Sequence, residues 1–214
     1  MNIDQIIRTR YASKAYDSSR KLTTEQEQQI FDLLRFSPSS VNSQPWHFFA
    51  LSSFEARQRI IPAMTEPNVS KIMNSAMVIV FTTYQEITET HLNAILAQEK
   101  IDGRFSSEQN EKNQDAGRRF FVGLNSNSPD EQRAWMARQA YLSLGFLLLG
   151  AAGMGLDATP IEGFYRDKMD SALFLQDKNL TSVVIAAIGY HDNNDFNARL
   201  PKSRLNQDTV ITHL

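Results

Sequence analysis

Residues 128–163, SPDEQRAWMARQAYLSLGFLLLGAAGMGLDATPIEG, decide how this chain folds. Ser128 can cap a first helical turn, Pro129 fixes the first helical φ, and Glu131 can reach back to the Ser128 amide. The stop is equally legible. Gly153 and Gly155 stand where the apolar run ends, and either can take the left-handed conformation that closes a helix. Between these ends, residues 140–152 are apolar on nearly every side, broken only by Ser143, Gly145 and Gly150. Such a helix has no face to turn to water and is expected to be buried all round. A membrane span needs ~20 apolar residues, and Arg138 and Gln139 interrupt the run too soon. The pattern therefore predicts a central core helix. It is either wholly internal or approached by a second subunit's helix through the small residues Ala137, Ser143, Gly145 and Gly150.

Working outward, 214 residues with 42% hydrophobic content suffice for one sizeable core and a single domain, 1–214. A formal net charge of -2, with no basic run interleaved with aromatics, gives no reason to expect a nucleic-acid or membrane partner. Cysteine is absent, which excludes a disulfide framework, a thiolate nucleophile and Cys-based metal sites. The opening MNIDQIIRTRYASK has no apolar core of a secretory signal, so the cytoplasm is the expected compartment.

In chain order, Ile3, Ile6 and Ile7 share a face of a short helix ending near Arg10, and a basic connector, Arg10-Tyr11-Ala12-Ser13-Lys14, follows. Thr23 or Thr24, with Gln26 and Glu27, forms a capping box for a second helix that stops at Ser37-Pro38. SPSSVNSQPW reads as an ordered loop, because its side chains bond their own backbone and Pro45 blocks regular structure. A buried strand is expected over 46–51, a helix over 54–64 and a second strand over 77–83. Residues from about 87 to 125 are helical but polar, a helical excursion outside the main core. In it the adjacent rings of Phe120 and Phe121 cannot share one side of a helix. A strand over 156–161, a helix over 165–174 and a strand over 182–189 complete the core. The tail from His191 onward has no core of its own and is expected to pack on another surface, such as a second subunit.

The four histidines lack metal-ligand spacing, so no metal site is expected, and His47 reads as a core residue. There is no nucleophile elbow and no Walker loop. GAAGMG at 150–155 closes a helix where a dinucleotide fingerprint must open one. Two basic pairs remain, Arg10 with Lys14 and Lys202 with Arg204. Their forked or point charges suit a phosphate, and solvated surface is the competing reading.

Taken together, SPSSVNSQPWHF, DGRF, GRRFF, AWMARQAYLSLG, GLDATPIEGF and FNARLPKSRL resemble the FMN-dependent nitroreductase family over the whole chain. The likeness is greatest to bacterial oxygen-insensitive NAD(P)H nitroreductases and NAD(P)H:flavin oxidoreductases. It implies an α+β fold with a mixed central sheet surrounded by helices. It also implies an intertwined homodimer whose C-terminal tail adds to the partner's sheet, with one non-covalent FMN per chain at the interface. The implied activity is two-electron transfer from NAD(P)H to nitroaromatics and quinones in a ping-pong cycle. Delivery of reduced free flavin is the alternative, and a flavin-binding protein without turnover is a further one. The flavin carries the difficult chemistry, and the protein orients and polarises it.

The same resemblance assigns residues. Arg10, Lys202 and Arg204 would hold the FMN phosphate. The rest of the connector (Tyr11, Ala12 and Ser13) would line the cofactor, and Lys14 would stabilise charge near N1 and O2. Asn68 would bond the ring, Pro160 and Ile161 would back it, and Glu162 and Gly163 would turn a backbone amide toward N5. Pro38, Ser39, Ser40, Asn42 and Gln139 would come from the other subunit. Lys14, Lys71 and Arg104 would contact the nicotinamide nucleotide, and Phe121 would stack over the substrate. The chain departs from the family pattern at Tyr11 (usually histidine), Ala12 (usually serine) and Val41 (usually threonine), which implies a looser hold on FMN. The segment 62–70 is also shorter than in close relatives, and it borders the acceptor pocket. The preference between NADH and NADPH and the physiological acceptor are not encoded legibly, since no nucleotide-binding fold is present to read.

Overall fold

The computed structural model describes residues 2–214. Four strands, β1 (Trp46–Leu51), β2 (Met77–Tyr84), β3 (Asp157–Ile161) and β4 (Leu180–Gly189), form one sheet in the order β1-β2-β4-β3. Among the described residues the helices are α1 (Ile3–Thr9), α2 (Thr24–Arg35), α3 (Phe54–Ile60), α4 (Glu66–Asn74), α5 (Glu89–Ile101), α6 (Glu108–Leu124), α7 (Pro129–Gly153), α8 (Arg166–Ala172) and α9 (Gln207–Val210). The class is α+β, as the resemblance implied. Each strand pair is antiparallel, so the mixed character expected of the sheet is not present within one chain.

Alternate residues of a strand face opposite sides, so a strand covered on both faces must be apolar throughout. That is how β2 and β4 are used. Val78 and Val80 join Ile185 and Ala187 in a core closed by Ile60, Ile72 and Met169 from α3, α4 and α8. Met77, Ile79 and Phe81 join Val184, Ala186 and Ile188 in a second core, closed by Ile30 and Leu34 of α2 and Leu144, Leu147 and Ala151 of α7. Each fully buried Val, Leu, Ile, Phe or Met side chain here is worth about 1.5–3 kcal/mol of apolar transfer, the gross term that holds the layers together.

The ends of α7 behave nearly as read. Ser128 accepts from the Glu131 N–H at 3.2 Å, but the Glu131 carboxylate takes the Asn127 amide instead of the Ser128 N–H. Gly155, at φ 76, closes the helix. Leu156 N–H then donates to Ala151 and Gly155 N–H to Ala152, the paired bonds of a Schellman stop. Burial all round is not what one chain provides. Tyr141, Leu142 and Phe146 are exposed, forming a second apolar stripe opposite the one that packs on the sheet. A helix apolar on every side needs two covering surfaces, and its own chain supplies one.

Other expectations are corrected by local chemistry. The helix expected over 54–64 ends at Ile60, because Pro62 removes a donor and turns the chain into a short 3-10 segment. A further helix, α4, then starts with Pro67 in its first turn, where proline is tolerated. The strand at 46–51 lies at the sheet edge and is only partly buried, and His47 is exposed on it instead of belonging to the core. Phe120 and Phe121 are both exposed, edge to face at 5.3 Å. The α5–α6 excursion has a small core of its own, in which Leu92 and Val122 meet Trp135 and Met136 of α7. Residues 201–214 are exposed throughout, as expected for a tail without a core.

Candidate functional site

The connector after α1 has no regular structure, so other elements must fix it. Thr159 of β3 donates to Ser13 O at 2.6 Å, Asn197 donates to Ala12 O at 2.8 Å, and Lys14 N–H donates to Asp195 Oδ2 at 3.0 Å. These contacts bring the start of the tail onto the connector. Lys202 Nζ reaches Arg10 O at 2.5 Å, across 192 positions of sequence. Burial, then the neighbouring Arg204 charge, pushes the Arg10 pKa down. Burial, then Arg10 and Arg204, does the same to Lys202. Among the described residues no carboxylate pairs with any of the three. Three converging cations without a counter-charge make a site shaped for a dianion such as a phosphate monoester.

Near Lys14, at the other end of the connector, lies a polar turn. Gly163 O accepts from Thr65 N–H at 3.1 Å, Thr65 Oγ1 at 2.8 Å and Asn68 Nδ2 at 3.2 Å. Asn68 Oδ1 in turn accepts from Lys71 Nζ at 2.9 Å. Burial, with the Lys14 charge added, lowers the Lys71 pKa, which places both ammonium groups in one neighbourhood. A side chain on Gly163 would meet Asn68 Nδ2 at 2.4 Å and Thr65 Oγ1 at 2.8 Å, so glycine lets the turn close against α4 without displacing either group. Among the described residues the Gly163 N–H has no acceptor, leaving a fixed donor for a ligand. Glu162 accepts from Tyr141 Oη at 2.5 Å, and burial followed by this carboxylate pushes the tyrosine pKa up to about 12. Pro160 is exposed on the same strand end, whereas Ile161 is buried in the first core, so its side chain backs the sheet and not a ligand.

A second group of predicted residues gathers on another side of α7. The loop at 39–44 carries Val41 at φ 48, Asn42 at φ 53 and Gln44 at φ 41. Left-handed backbone costs non-glycine residues roughly 1–3 kcal/mol apiece and persists only where surroundings impose it. Ser40 N–H donates to Gln139 Oε1 at 2.8 Å and Gln44 N–H to Ser39 Oγ at 3.0 Å. Asn42 donates to Glu99 Oε1 at 2.9 Å. Arg104 lies nearby, its Nε 3.9 Å from the same carboxylate, and Phe121 projects from α6. Pro38 is exposed at the start of the loop.

Among the described residues no hydrogen bond or ion pair joins the two groups directly. Gln139 and Tyr141 of α7 point into different ones. A cleft of about 460 Å³ lies between α2 and β1, lined by Phe31, Trp46 and Phe48, and of the two groups only Gln44 reaches it. A cleft of about 320 Å³ adjoins Arg10 and Tyr11, and there the Tyr11 hydroxyl is buried without a partner, its pKa raised to about 12 chiefly by burial. Residues that sequence reasoning did not assign are Thr65, Tyr141, Glu99 and Arg118. Only Thr65 carried a signal, its three-residue spacing to Asn68 at a helix start.

A sheet covered on both faces, with an uncompensated cation trio at one end of the connector and a polar glycine turn near its other end, defines an α+β scaffold whose charges could hold an anion. The sequence profile described as the Nitroreductase family matches residues 7–190, and the chain belongs to that family. It is 41% identical to an oxygen-insensitive NAD(P)H nitroreductase of Salmonella typhimurium, over all of both chains. It is 36% identical to a major NAD(P)H-flavin oxidoreductase of Aliivibrio fischeri, over 97% of this chain and 96% of that one. An Exiguobacterium sibiricum protein solved in complex with FMN superposes with a TM-score of 0.84 at 22% identity, covering 100% of this chain and 98% of that one, and supports the fold.

Proposed function

We propose that this chain is an FMN-dependent oxidoreductase that moves two electrons from NAD(P)H to nitroaromatics and quinones by a ping-pong mechanism in the cytoplasm. The observation that carries the reading is the unpaired trio Arg10, Lys202 and Arg204 at one end of the connector, with the Lys71–Asn68–Gly163 turn near Lys14 at its other end. A phosphate on the trio leaves a planar ring to lie against the turn, and the polar atoms there fit FMN. Bound FMN supplies hydride chemistry at N5, which no side chain of this protein can provide.

The chain's own groups bind and polarise. Lys14 would hold positive charge at the pyrimidine edge, where electron density accumulates on reduction, and Lys71, in the same neighbourhood, would meet the nicotinamide nucleotide. Asn68 fixes the ring edge while itself locked to Gly163. The Gly163 N–H is a preorganised donor, and Tyr141 restrains the adjoining Glu162. Arg104 is exposed, its side chain held among the described residues only by its 3.9 Å approach to Glu99, and would meet a nucleotide phosphate, and Phe121 is exposed to stack on an acceptor.

The second group would serve the cofactor of a partner chain in a homodimer. Supporting this are the exposed stripe of Tyr141, Leu142 and Phe146, the exposed tail, and the separation of the two groups. Among the described residues no helix is long and apolar enough to cross a membrane, and no cluster of potential metal ligands occurs.

Steady-state kinetics with NADH or NADPH and a nitroaromatic test the mechanism. Parallel double-reciprocal lines are expected, and intersecting lines would mean two simultaneously occupied sites. Free FMN as acceptor separates a flavin reductase from a nitroreductase, and the higher kcat/KM is expected for the nitroaromatic.

A further inference from the structure

We propose that the buried Glu99–Arg118 ion pair is a positioning device for the loop at 39–44. It holds that loop in its left-handed form and ties the α5–α6 excursion to it. The proposal rests on the reading above for one point only, that this loop faces a cofactor.

The loop needs an external hold. Three of four consecutive positions, 41, 42 and 44, have positive φ, and none is glycine. Val41 is the extreme case, since a β-branched side chain tolerates the left-handed region least. A single ion pair grips both of the consecutive left-handed residues. Arg118 Nε donates to Val41 O at 3.1 Å, and Arg118 Nη2 donates to Glu99 Oε2 at 2.5 Å. The other oxygen of Glu99 accepts from Asn42 Nδ2 at 2.9 Å. One end of the pair therefore holds the carbonyl of Val41 and the other holds the side chain of Asn42. The Val41 side chain meanwhile packs on the small core of Leu92, Val122, Trp135 and Met136. His91 of α5 adds a contact at 2.7 Å to Ser43 O, so α5 and α6 both reach the loop.

General stability does not account for the pair. Arg118 is 1% exposed and Glu99 2% exposed. A buried ion pair is seldom more stable than apolar residues of the same volume, because both charges lose their water. Arg118 Nη1 is also buried without an acceptor, an omission that packing for stability alone would avoid. Nor is the pair needed merely to join α5 to α6. Lys100–Glu111 and the Arg119 contacts to Glu89 and Asn93 already link those helices at the surface. What distinguishes Glu99–Arg118 is its inward reach to the loop. Phe121 lies one turn after Arg118, and Arg104 approaches Glu99 from outside. The acceptor-side ring and the nucleotide-side arginine are thereby carried on the body that sets the loop.

Amide hydrogen exchange on the full chain without FMN tests the clamp directly. The N–H groups of Ser40, Asn42, Ser43 and Gln44 are all bonded inside or beside the loop and report on its opening. In Glu99→Gln and Arg118→Lys these four amides should exchange at least tenfold faster, while those of Val78 and Val80 in β2 keep their rates. Uniform acceleration, β2 included, would make the pair a general stabiliser and overturn the proposal. No acceleration at 40–44 would overturn it as well. These mild variants carry the test even where Arg118→Met fails to fold. FMN titration of the same variants should show at least a tenfold weaker Kd than wild type. An unchanged Kd with a loosened loop would sever the clamp from cofactor binding. A wild-type chain that binds no FMN would instead sink the functional reading, leaving the exchange result to stand or fall alone.

Discussion

Replacing Gly163 by alanine should weaken FMN binding on the order of 30-fold and cost the FMN-free chain about 2 kcal/mol of stability. The magnitude comes from the contacts an added Cβ meets: Asn68 Nδ2 at 2.4 Å and Thr65 Oγ1 at 2.8 Å, where ordinary contact starts near 3.4 Å. The amide must therefore retreat by about 1.0 Å (3.4 − 2.4) and the hydroxyl by about 0.6 Å (3.4 − 2.8). Both groups now donate to Gly163 O, at 3.2 and 2.8 Å, and a retreat of 1.0 Å takes the longer bond out of range. One lost hydrogen bond is worth ~1 kcal/mol. Overpacking costs 1–3 kcal/mol in a rigid core, and the low end applies here because Asn68 can swing. The movement also carries Lys71, bonded to Asn68 Oδ1, so the ring-edge amide and the ammonium beside it shift together. Urea unfolding of the FMN-free protein measures the first quantity and fluorescence-quench titration with FMN the second. Lowered stability with unchanged FMN affinity would remove the Thr65–Asn68–Lys71 network from the cofactor. Unchanged stability would refute the contact itself.

Four further outcomes are expected. Arg204→Gln should weaken FMN at least tenfold without destabilising the FMN-free chain, since it relieves repulsion among three unpaired cations; a fall in apo stability on urea unfolding would reveal a missed partner. Lys14→Met should keep FMN but lower its two-electron potential by roughly 40 mV, from ~2 kcal/mol of screened attraction, in dye-equilibrated titrations. Phe146→Asp puts a charge in the exposed apolar stripe of α7 and should shift the sedimentation equilibrium from dimer to monomer, with loss of flavin. Gly150→Ala brings a Cβ to 2.4 Å from both methyl groups of Leu33, so overpacking of about 1–3 kcal/mol should outweigh a helix-propensity gain of up to ~1 kcal/mol, read as a lower Tm.

Legibility in the sequence followed the range of the forces involved. The apolar runs of β2 and β4 and the two ends of α7 obey rules that act within a few residues, and the structure places them within one or two positions of the reading. Helix α4 escaped because the expected helix runs through Pro62 and no element is expected between it and β2, although Pro67 is at home in a first turn. For α7 the sequence leaves two alternatives open, burial within one chain or against a second subunit, and the exposed stripe excludes the first. A helix apolar on all sides looks the same whether its second face meets its own chain or another. Glu99 and Arg118 lie on polar helices and resemble solvated charges until folding turns them inward. In the site, Arg10 and Lys202 were joined by family resemblance alone, since no local pattern connects residues 192 apart.

The central claim, that this chain holds FMN and reduces it with a nicotinamide nucleotide, is tested most directly by anaerobic titration of the purified, FMN-reconstituted protein with NADH and NADPH. The account predicts a flavin absorption band at one FMN per chain that is bleached by one equivalent of nucleotide per chain and restored by a nitroaromatic. A chain that takes up no FMN, or a bound flavin that neither nucleotide bleaches, would contradict it.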